Sequence, residues 1–305
     1  MAYDMIVIGA GVSGLAGAMY AGRMGLKVLV IGEMRGGTIT TTNIVENYPG
    51  FISLTGMELA DKLEAHARAY PSVEIKDEKV AEIKRKADGT FTVKSDSGVH
   101  EAKTILYATG TEWKKLGVPG EKEFANKGVH YCALCDGAFY KGKVAAVIGG
   151  SDSAAKDALV LTQWASKVYI IYRGEKIRPE PVNYERVMAN EKIEIINKAN
   201  VLEIHGEKKV KDVLLDKPHN GSATLPLDVV FVAVGHSPLS QLAAQVNVEI
   251  NEKGYVKINR NSETNVPGFY AAGDVTDTRF KQAIVGVGEA VEAVYSAYLY
   301  LDKKK

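Results

Sequence analysis

The sequence predicts an α/β protein made of two similar β-α-β units, and three observations carry that expectation. Near the N-terminus a β-branched run ends in a glycine-rich turn that opens a helical pattern. The same arrangement recurs with Val7 matched by Val147. The 305-residue chain also has an ordinary globular balance, 46% hydrophobic and 25% charged, ample material for two buried cores.

The first unit starts with a short strand, Tyr3 to Ile8. Gly9-Ala10-Gly11-Val12-Ser13-Gly14 follows, then small residues in a helical pattern to about Met24, a strand over Lys27 to Ile31, and Glu33. Gly9 permits a tight turn, Gly11 lets backbone approach a pyrophosphate, and Gly14 lets the helix pack on the strand. The helix N-terminus offers amide hydrogens to phosphate, and Glu33 can accept hydrogen bonds from a ribose. A lone G-x-G-x-x-G is a weak signal; with its strand, helix and terminal acid it is a strong one.

In the second unit, Val7, Ile8, Gly9, Ser13, Ala18, Lys27, Val28 and Ile31 recur as Val147, Ile148, Gly149, Ser153, Ala158, Lys167, Val168 and Ile171. The strand Lys143 to Ile148 leads into Gly149-Gly150-Ser151-Asp152-Ser153-Ala154, a helix to about Ala165 and a strand to Tyr172. The same offset puts Arg173 where the first unit has Glu33. An acid here suits a free ribose hydroxyl and a cation suits a 2′-phosphate or another anion, so the units are expected to hold different ligands.

Residues 73–108 read as a β-meander, with alternating stretches at Val80 to Ile83 and Phe91 to Val93 and a buried-type run from Thr104 to Ala108. Lys114 to Gly120 reads as a linker. Residues 201–235 repeat the meander and end in Val229 to Val234. Gly268 to Asp274 then precedes a long helical pattern to Leu301, and Lys303 to Lys305 read as a frayed tail. A net charge of +1 provides no global field for nucleic acid or anionic lipid. No apolar run approaches the roughly 18 residues of a bilayer span, and the N-terminus reads as a first strand rather than a signal peptide. Neither a nucleic-acid nor a membrane partner is expected.

The chain has two cysteines, Cys132 and Cys135, at C-x-x-C spacing. So few thiols point to a reducing, cytoplasmic setting rather than a disulfide-stapled scaffold. The spacing can close a small redox-active ring. Two other readings stay open: half of a zinc site with His130 as a third ligand, for which a fourth is missing, and a buried inert pair. No metal site is expected.

Together these residues resemble the low-molecular-weight thioredoxin reductases over essentially the whole chain. The motifs are Gly9-x-Gly11-x-x-Gly14, Gly36-Gly37 through Val45-Glu46-Asn47-Tyr48-Pro49-Gly50, Ala108-Thr109-Gly110, Cys132-Ala133-Leu134-Cys135-Asp136-Gly137, and Ala272-Gly273-Asp274 followed by Gln282-Ala283. The resemblance implies two Rossmann-like nucleotide-binding domains, the second inserted into the first, each a three-layer ββα-type sandwich. Residues 1–113 and 239–305 would bind FAD; residues 114–238 would form an inserted NAD(P)H-type domain carrying the dithiol. FAD would contact Gly9, Gly11, Val12, Ser13, Gly14, Glu33, Gly36, Gly37, Thr38, Asn47, Val80, Ala108, Thr109, Gly110, Gly273, Asp274, Lys281, Gln282 and Ala283. By the same resemblance Cys135 would face the flavin, Cys132 would attack the partner's disulfide, and Asp136 would carry the proton. The chemistry needs such a set, because only a thiolate attacks a disulfide and a proton must be managed as it forms. The implied partner is a thioredoxin-like or glutaredoxin-like protein, and the implied assembly a homodimer.

The second unit departs from that pattern. NADPH or NADH would bind at Gly149, Ser151, Asp152, Ser153, Arg173 and Arg178, but Ser151 replaces the middle glycine. The family's His-Arg-Arg-x-x-x-Arg reads here Tyr172-Arg173-Gly174-Glu175-Lys176-Ile177-Arg178, and its helix glutamate is Lys156. Losing one bidentate arginine–phosphate contact costs on the order of 1.5–3 kcal/mol, roughly ten- to a hundredfold in affinity. A reduced ferredoxin or another flavin is then the alternative donor, and a flavin-binding redox sensor without turnover is the alternative of another class. At the flavin, Thr38 stands where relatives usually have glutamine and Lys281 where they usually have arginine.

Overall fold

A computed structural model describes residues 2–303, so Lys304 and Lys305 of the expected tail lie outside the described residues, as does Met1. The chain divides into two compact units, residues 1–112 with 237–305, and residues 113–236. Unit 1 begins with β1 (Tyr3–Ile8), α1 (Val12–Arg23), β2 (Val28–Ile31), α2 (Gly56–Arg68), β3 (Val73–Lys76), β4 (Val80–Arg85), β5 (Phe91–Ser95), β6 (Gly98–Tyr107) and β7 (Thr111–Trp113). Unit 2 contains β8 (Val129–His130), α3 (Ala133–Asp136), β9 (Val144–Ile148), α4 (Asp152–Leu161), β10 (Lys167–Tyr172), α5 (Pro181–Met188), β11 (Ile193–Asn197), β12 (Val201–Gly206), β13 (Val210–His219), β14 (Ser222–Pro226) and β15 (Val229–Val232). The return to unit 1 adds β16 (His236–Pro238), α6 (Gln241–Ala244), β17 (Phe269–Ala271) and α7 (Ala283–Asp302).

In unit 1 the sheet order is β3-β2-β1-β6-β5-β4, with β17 also on β6. Strand β6 joins two layers: its first half pairs antiparallel with β5, and Ile105 to Tyr107 pair parallel with β17. Side chains alternate across β1. Met5 and Val7 pack toward the helices with Val28, Val30, Ala290 and Val294. Ile6 and Ile8 pack toward the meander with Leu29, Ile31, Phe91 and Val93. A parallel strand covered on both faces has no position left for a polar residue, hence the unbroken apolar runs Met5 to Ile8 in β1 and Val28 to Ile31 in β2.

Unit 2 repeats the plan. Its parallel sheet runs β11-β10-β9-β15-β8, and β12-β13-β14 form a separate antiparallel layer. Met5 lies opposite Val28 in unit 1, and Ala145 lies opposite Val168 in unit 2, the same register displaced by the sequence repeat. Ala145, Val147, Ala154, Ala158 and Phe231 form the helix-side core; Ala146, Ile148, Val213, Leu225 and Val230 form the meander-side core. The predicted α/β class and its Rossmann-like sheets are what the structure has.

Two expectations need correction. Helix α4 stops at Leu161 rather than near Ala165, because the Thr162 hydroxyl donates to the Leu159 carbonyl and the chain turns through Trp164. Helix α7 is 20 residues long with a mean hydropathy of 1.2, enough by length and composition to cross a membrane. Glu289 and Glu292 break the uninterrupted apolar run sought in the sequence without lowering the average below that mark. In unit 1 α7 is a core helix: Ala290, Ala293, Val294 and Ala297 are fully buried in the cluster that includes Ala18 and Ala21 of α1. Gly17 lets α1 seat on the sheet beside α7, since a Cβ there would sit 2.4 Å from Leu106 Cδ2.

Candidate functional site

The glycines after β1 serve two different ends. Gly9 has φ +111, and a Cβ on it would lie 2.2 Å from the Ala108 carbonyl oxygen; one on Gly14 would lie 1.9 Å from the Gly9 oxygen. Both are demanded by the fold. Around Gly11 a Cβ would meet nothing closer than Gly37 Cα at 3.7 Å, so the protein itself tolerates a side chain there. Helix α1, opened by Val12, has no side-chain cap and no acid in its first turn, which leaves its leading N–H groups for an anion. Gly36 and Gly37, with φ +73 and +66, bring a second loop against Gly11.

The C-terminal return of the chain closes on the same place. A Cβ on Gly273 or Gly286 would fall 2.5 or 2.4 Å from Ser13 Oγ. The Gly273 N–H donates to Glu289 Oε2 at 2.8 Å, and Glu289 also accepts from the Thr276 and Thr278 hydroxyls. Asn47 Nδ2 donates to Gln282 Oε1 at 3.0 Å across 235 residues of sequence, just before Ala283 opens α7. Lys281 donates to the Thr276 carbonyl and lies 4.3 Å from the centre of the Tyr255 ring. Burial lowers its pKa, partly opposed by the charges of Asp274, Glu289 and Asp277. Gly286 and Glu289 were not foreseen: a glycine and a buried-type acid one turn apart in a predicted helix were the available signal.

Other predicted residues are used differently. Glu33 is exposed at the end of β2, 3.7 Å from Lys79 Nζ. Val80, the next residue along, packs into the meander-side core. The Thr109 hydroxyl donates at 2.7 Å to the Leu239 carbonyl, which also accepts from Tyr107, and the Gly110 carbonyl accepts the Leu239 N–H. These bonds tie the returning chain into unit 1. The Thr38 carbonyl accepts from Thr41 in a short 3-10 turn. An open backbone at Gly11, an uncapped helix start, and the paired amides of Asn47 and Gln282 together fit a dinucleotide such as FAD.

In unit 2, Cys132 and Cys135 are joined as a disulfide, with Cα atoms 5.3 Å apart. Cys132 is the N-cap of α3 and its Sγ accepts from the Cys135 N–H. Asp136 ends α3 and is the N-cap of the 3-10 turn Gly137–Tyr140, without a side-chain capping bond. Cys132 is buried and Cys135 exposed. Asp136 Oδ2 lies 3.1 Å from Nδ1 of His130, but out of line for a hydrogen bond, so that buried nitrogen has no aligned partner. His130 Nε2 is 2.8 Å from the Tyr140 hydroxyl, and the ring stacks on Phe231. His130 therefore has Asp136 on one side and Tyr140 on the other.

The second glycine turn differs from the first. Gly149, with φ +150, is forced by the Ala233 carbonyl as Gly9 is by Ala108. Ser151 caps α4 without a side-chain hydrogen bond, and Ser153 is exposed. Burial works against the Asp152 carboxylate, but Lys156, Asn183 and the Glu180 N–H outweigh it and hold its pKa below the usual range. A Cβ on Gly150 would lie 2.4 Å from the Tyr172 ring, and one on Gly174 2.5 Å from it. The ring is thus packed against both glycines, and its hydroxyl accepts from Arg178 at 3.0 Å. Arg173 is exposed, and Glu175 pairs with Lys198. The unit 1 counterpart of Tyr172 is Gly32; that contrast was present in the sequence and went unread.

Residues 3–290 match the model of the family described as pyridine nucleotide-disulphide oxidoreductase. The chain is 39% identical over 306 residues to a thioredoxin reductase of Bacillus subtilis (strain 168), covering 99% of this chain and 95% of the relative. Among solved structures it superposes on Lactococcus lactis thioredoxin reductase in the FR conformation with a TM-score of 0.94 at 32% identity, covering 99% of each chain. The T. acidophilum thioredoxin reductase gives 0.92 at 35% identity, again over 99% of each.

Proposed function

Because the chain belongs to the pyridine nucleotide-disulphide oxidoreductases, and within them to the thioredoxin reductases, we propose that this flavin-dependent disulfide oxidoreductase reduces a thioredoxin-like or glutaredoxin-like protein through Cys132 and Cys135. The observation that carries the proposal is the disulfide at the start of α3 with Asp136 at its end, held in a unit that repeats the nucleotide fold. Gly11, Val12, Ser13 and the α1 N-terminus would hold the FAD pyrophosphate, Glu33 the adenosine ribose, and Asn47, Asp274, Gln282 and Ala283 the remainder. Bound there, FAD supplies a carrier that takes and gives electron pairs. The residues of the chain do the rest. Cys132 attacks the partner's disulfide as a thiolate, Cys135 resolves the mixed disulfide, and Asp136 manages the proton. Cys132 is buried in the oxidised pair, so its sulfur must be uncovered before a protein partner reaches it.

For the donor we propose a reduced ferredoxin or another flavin in place of NADPH or NADH. Tyr172 packed over Gly150, the side chain at Ser151, and Arg178 engaged by Tyr172 all support this. The setting proposed is the reducing cytoplasm, the assembly a homodimer. Anaerobic stopped-flow mixing of the oxidised protein with NADPH, NADH and reduced ferredoxin separates the donors: bleaching of the flavin within milliseconds by NADPH would contradict the donor assignment. Adding oxidised thioredoxin to the dithionite-reduced protein tests the substrate. Flavin reoxidation with gain of thioredoxin thiols is the expected result, and an inert flavin would favour a sensor.

A further inference from the structure

His130 is a buried histidine two residues before the disulfide, and nothing in the dithiol chemistry described so far uses it. Its ring is 93% removed from solvent by the 7% exposure it retains, and strand β8 fixes its backbone through pairing with β15. Phe231 of β15 stacks on one face with ring centres 5.6 Å apart, so the ring has little freedom to turn away. Both nitrogens point at ionisable groups. Nε2 meets the Tyr140 hydroxyl at 2.8 Å, and Nδ1 sits 3.1 Å from Asp136 Oδ2 without an aligned bond. A buried imidazole nitrogen left without a hydrogen bond carries a cost of about 1–3 kcal/mol, which is tolerated where the group has work to do.

We propose that His130 is a proton-relay residue of the dithiol, lying between Asp136 on its Nδ1 side and Tyr140 on its Nε2 side and passing protons between them as the Cys132–Cys135 bond breaks and re-forms. The proposal rests on the reading of that pair as the exchanging centre. Breaking the bond takes the two electrons supplied by the flavin-dependent activity and leaves two thiolates. One proton makes one of them a thiol; the other stays a thiolate for attack. The Asp136 carboxylate takes a proton from His130 Nδ1 and passes it to sulfur. His130 Nε2 takes a proton from the Tyr140 hydroxyl, and half-buried Tyr140 takes one from water. When the disulfide re-forms the proton leaves by the same route.

The tautomer this requires is the one the geometry favours. Burial first, and then the charge of Asp136, raise the Tyr140 pKa, so Tyr140 remains a donor and Nε2 an acceptor. With Nε2 as acceptor, the matching tautomer has its hydrogen on Nδ1, toward Asp136. The elements packed around the ring bring Asp136 from α3, Tyr140 from the 3-10 turn after it, and non-titrating Phe231 from β15. Helix α4, packed on α3, carries Asp157 one turn before Leu161, which abuts Gly137. Burial pushes the Asp157 carboxyl up to about 7, inside the range of a pH profile, so its own titration has to be separated from the relay.

The test is single-turnover reduction of oxidised thioredoxin by the pre-reduced holoprotein between pH 5.5 and 9, for wild type, His130→Gln, Tyr140→Phe and Asp157→Asn. Wild type should show a pH-dependent limb in the rate across this range, set by the relay. His130→Gln should lose that limb and run about tenfold slower or more. Tyr140→Phe keeps the aromatic packing and should move the midpoint, and Asp157→Asn should leave the limb intact. The relay is overturned if His130→Gln keeps the wild-type limb, or if Asp157→Asn abolishes it. Should His130→Gln fail to fold, Tyr140→Phe decides, and an unchanged profile there overturns the relay. A wild type that does not reduce thioredoxin would instead sink the functional reading beneath it.

Discussion

Gly9, Gly11 and Gly14 are one motif in the sequence and two kinds of residue in the fold. Gly9 and Gly14 have carbonyl oxygens where a Cβ would be, whereas a Cβ on Gly11 would make only ordinary contact with Gly36 and Gly37. Gly14→Ala should therefore fail to give folded protein. Gly11→Ala should fold with a melting temperature within a few degrees of wild-type apoprotein yet retain little flavin, measured by absorbance after gel filtration. If Gly11→Ala purified fully yellow, the pyrophosphate would not lie there. Asp157 supports a second residue-scale prediction. Its folded pKa of about 7 exceeds the unfolded value of 3.8, so the native state binds the extra proton between those two values. Stability from this group is thus full below about pH 4 and is lost as pH rises toward 7. Asp157→Asn should stabilise the protein at pH 8 by on the order of 1–3 kcal/mol and have little effect at pH 4, read by urea unfolding at both pH values.

At the scale of elements, the N-termini of α1 and α4 occupy equivalent places in the two units but present different surfaces. The start of α1 is open backbone; that of α4 lies beside Ser151, an Asp152 tied to Asn183 and Lys156, and the Tyr172 ring over Gly150. Gly174→Arg alone should not restore NADPH binding, because its Cβ would be 2.5 Å from that ring. Tyr172→His with Gly174→Arg and Ser151→Gly should tighten NADPH by about tenfold or more, followed by fluorescence titration. Equal affinities in the single and triple variants would show that the ring is no obstacle. Both glycine turns, both central strands and the helix-side faces were legible in the sequence, because each depends on periodicity and on glycine, which local spacing reveals. The Tyr172 stack, the Glu289 bond to Gly273 and the His130–Asp136–Tyr140 cluster were not, since each joins residues whose proximity only the folded chain establishes.

For the whole molecule, the repeat seen as matched residues 140 apart becomes two sheets with the same strand register. Unit 2 is one uninterrupted segment with its own pair of cores, while unit 1 needs both ends of the chain. A fragment of residues 113–236 should therefore fold alone, unfold cooperatively and bind no flavin; a fragment of residues 1–112 should not fold, since β17 and α7 would be missing from its core. Circular dichroism of the two fragments checks this. The central claim is that Cys132 and Cys135 exchange electrons with a protein disulfide. It is tested most directly by mixing Cys135→Ser holoprotein with oxidised thioredoxin and measuring intact mass under non-reducing conditions. The account predicts a stable one-to-one mixed disulfide through Cys132 that Cys132→Ser does not form. If neither variant captures thioredoxin while wild type still reduces it, the exchange does not run through this pair.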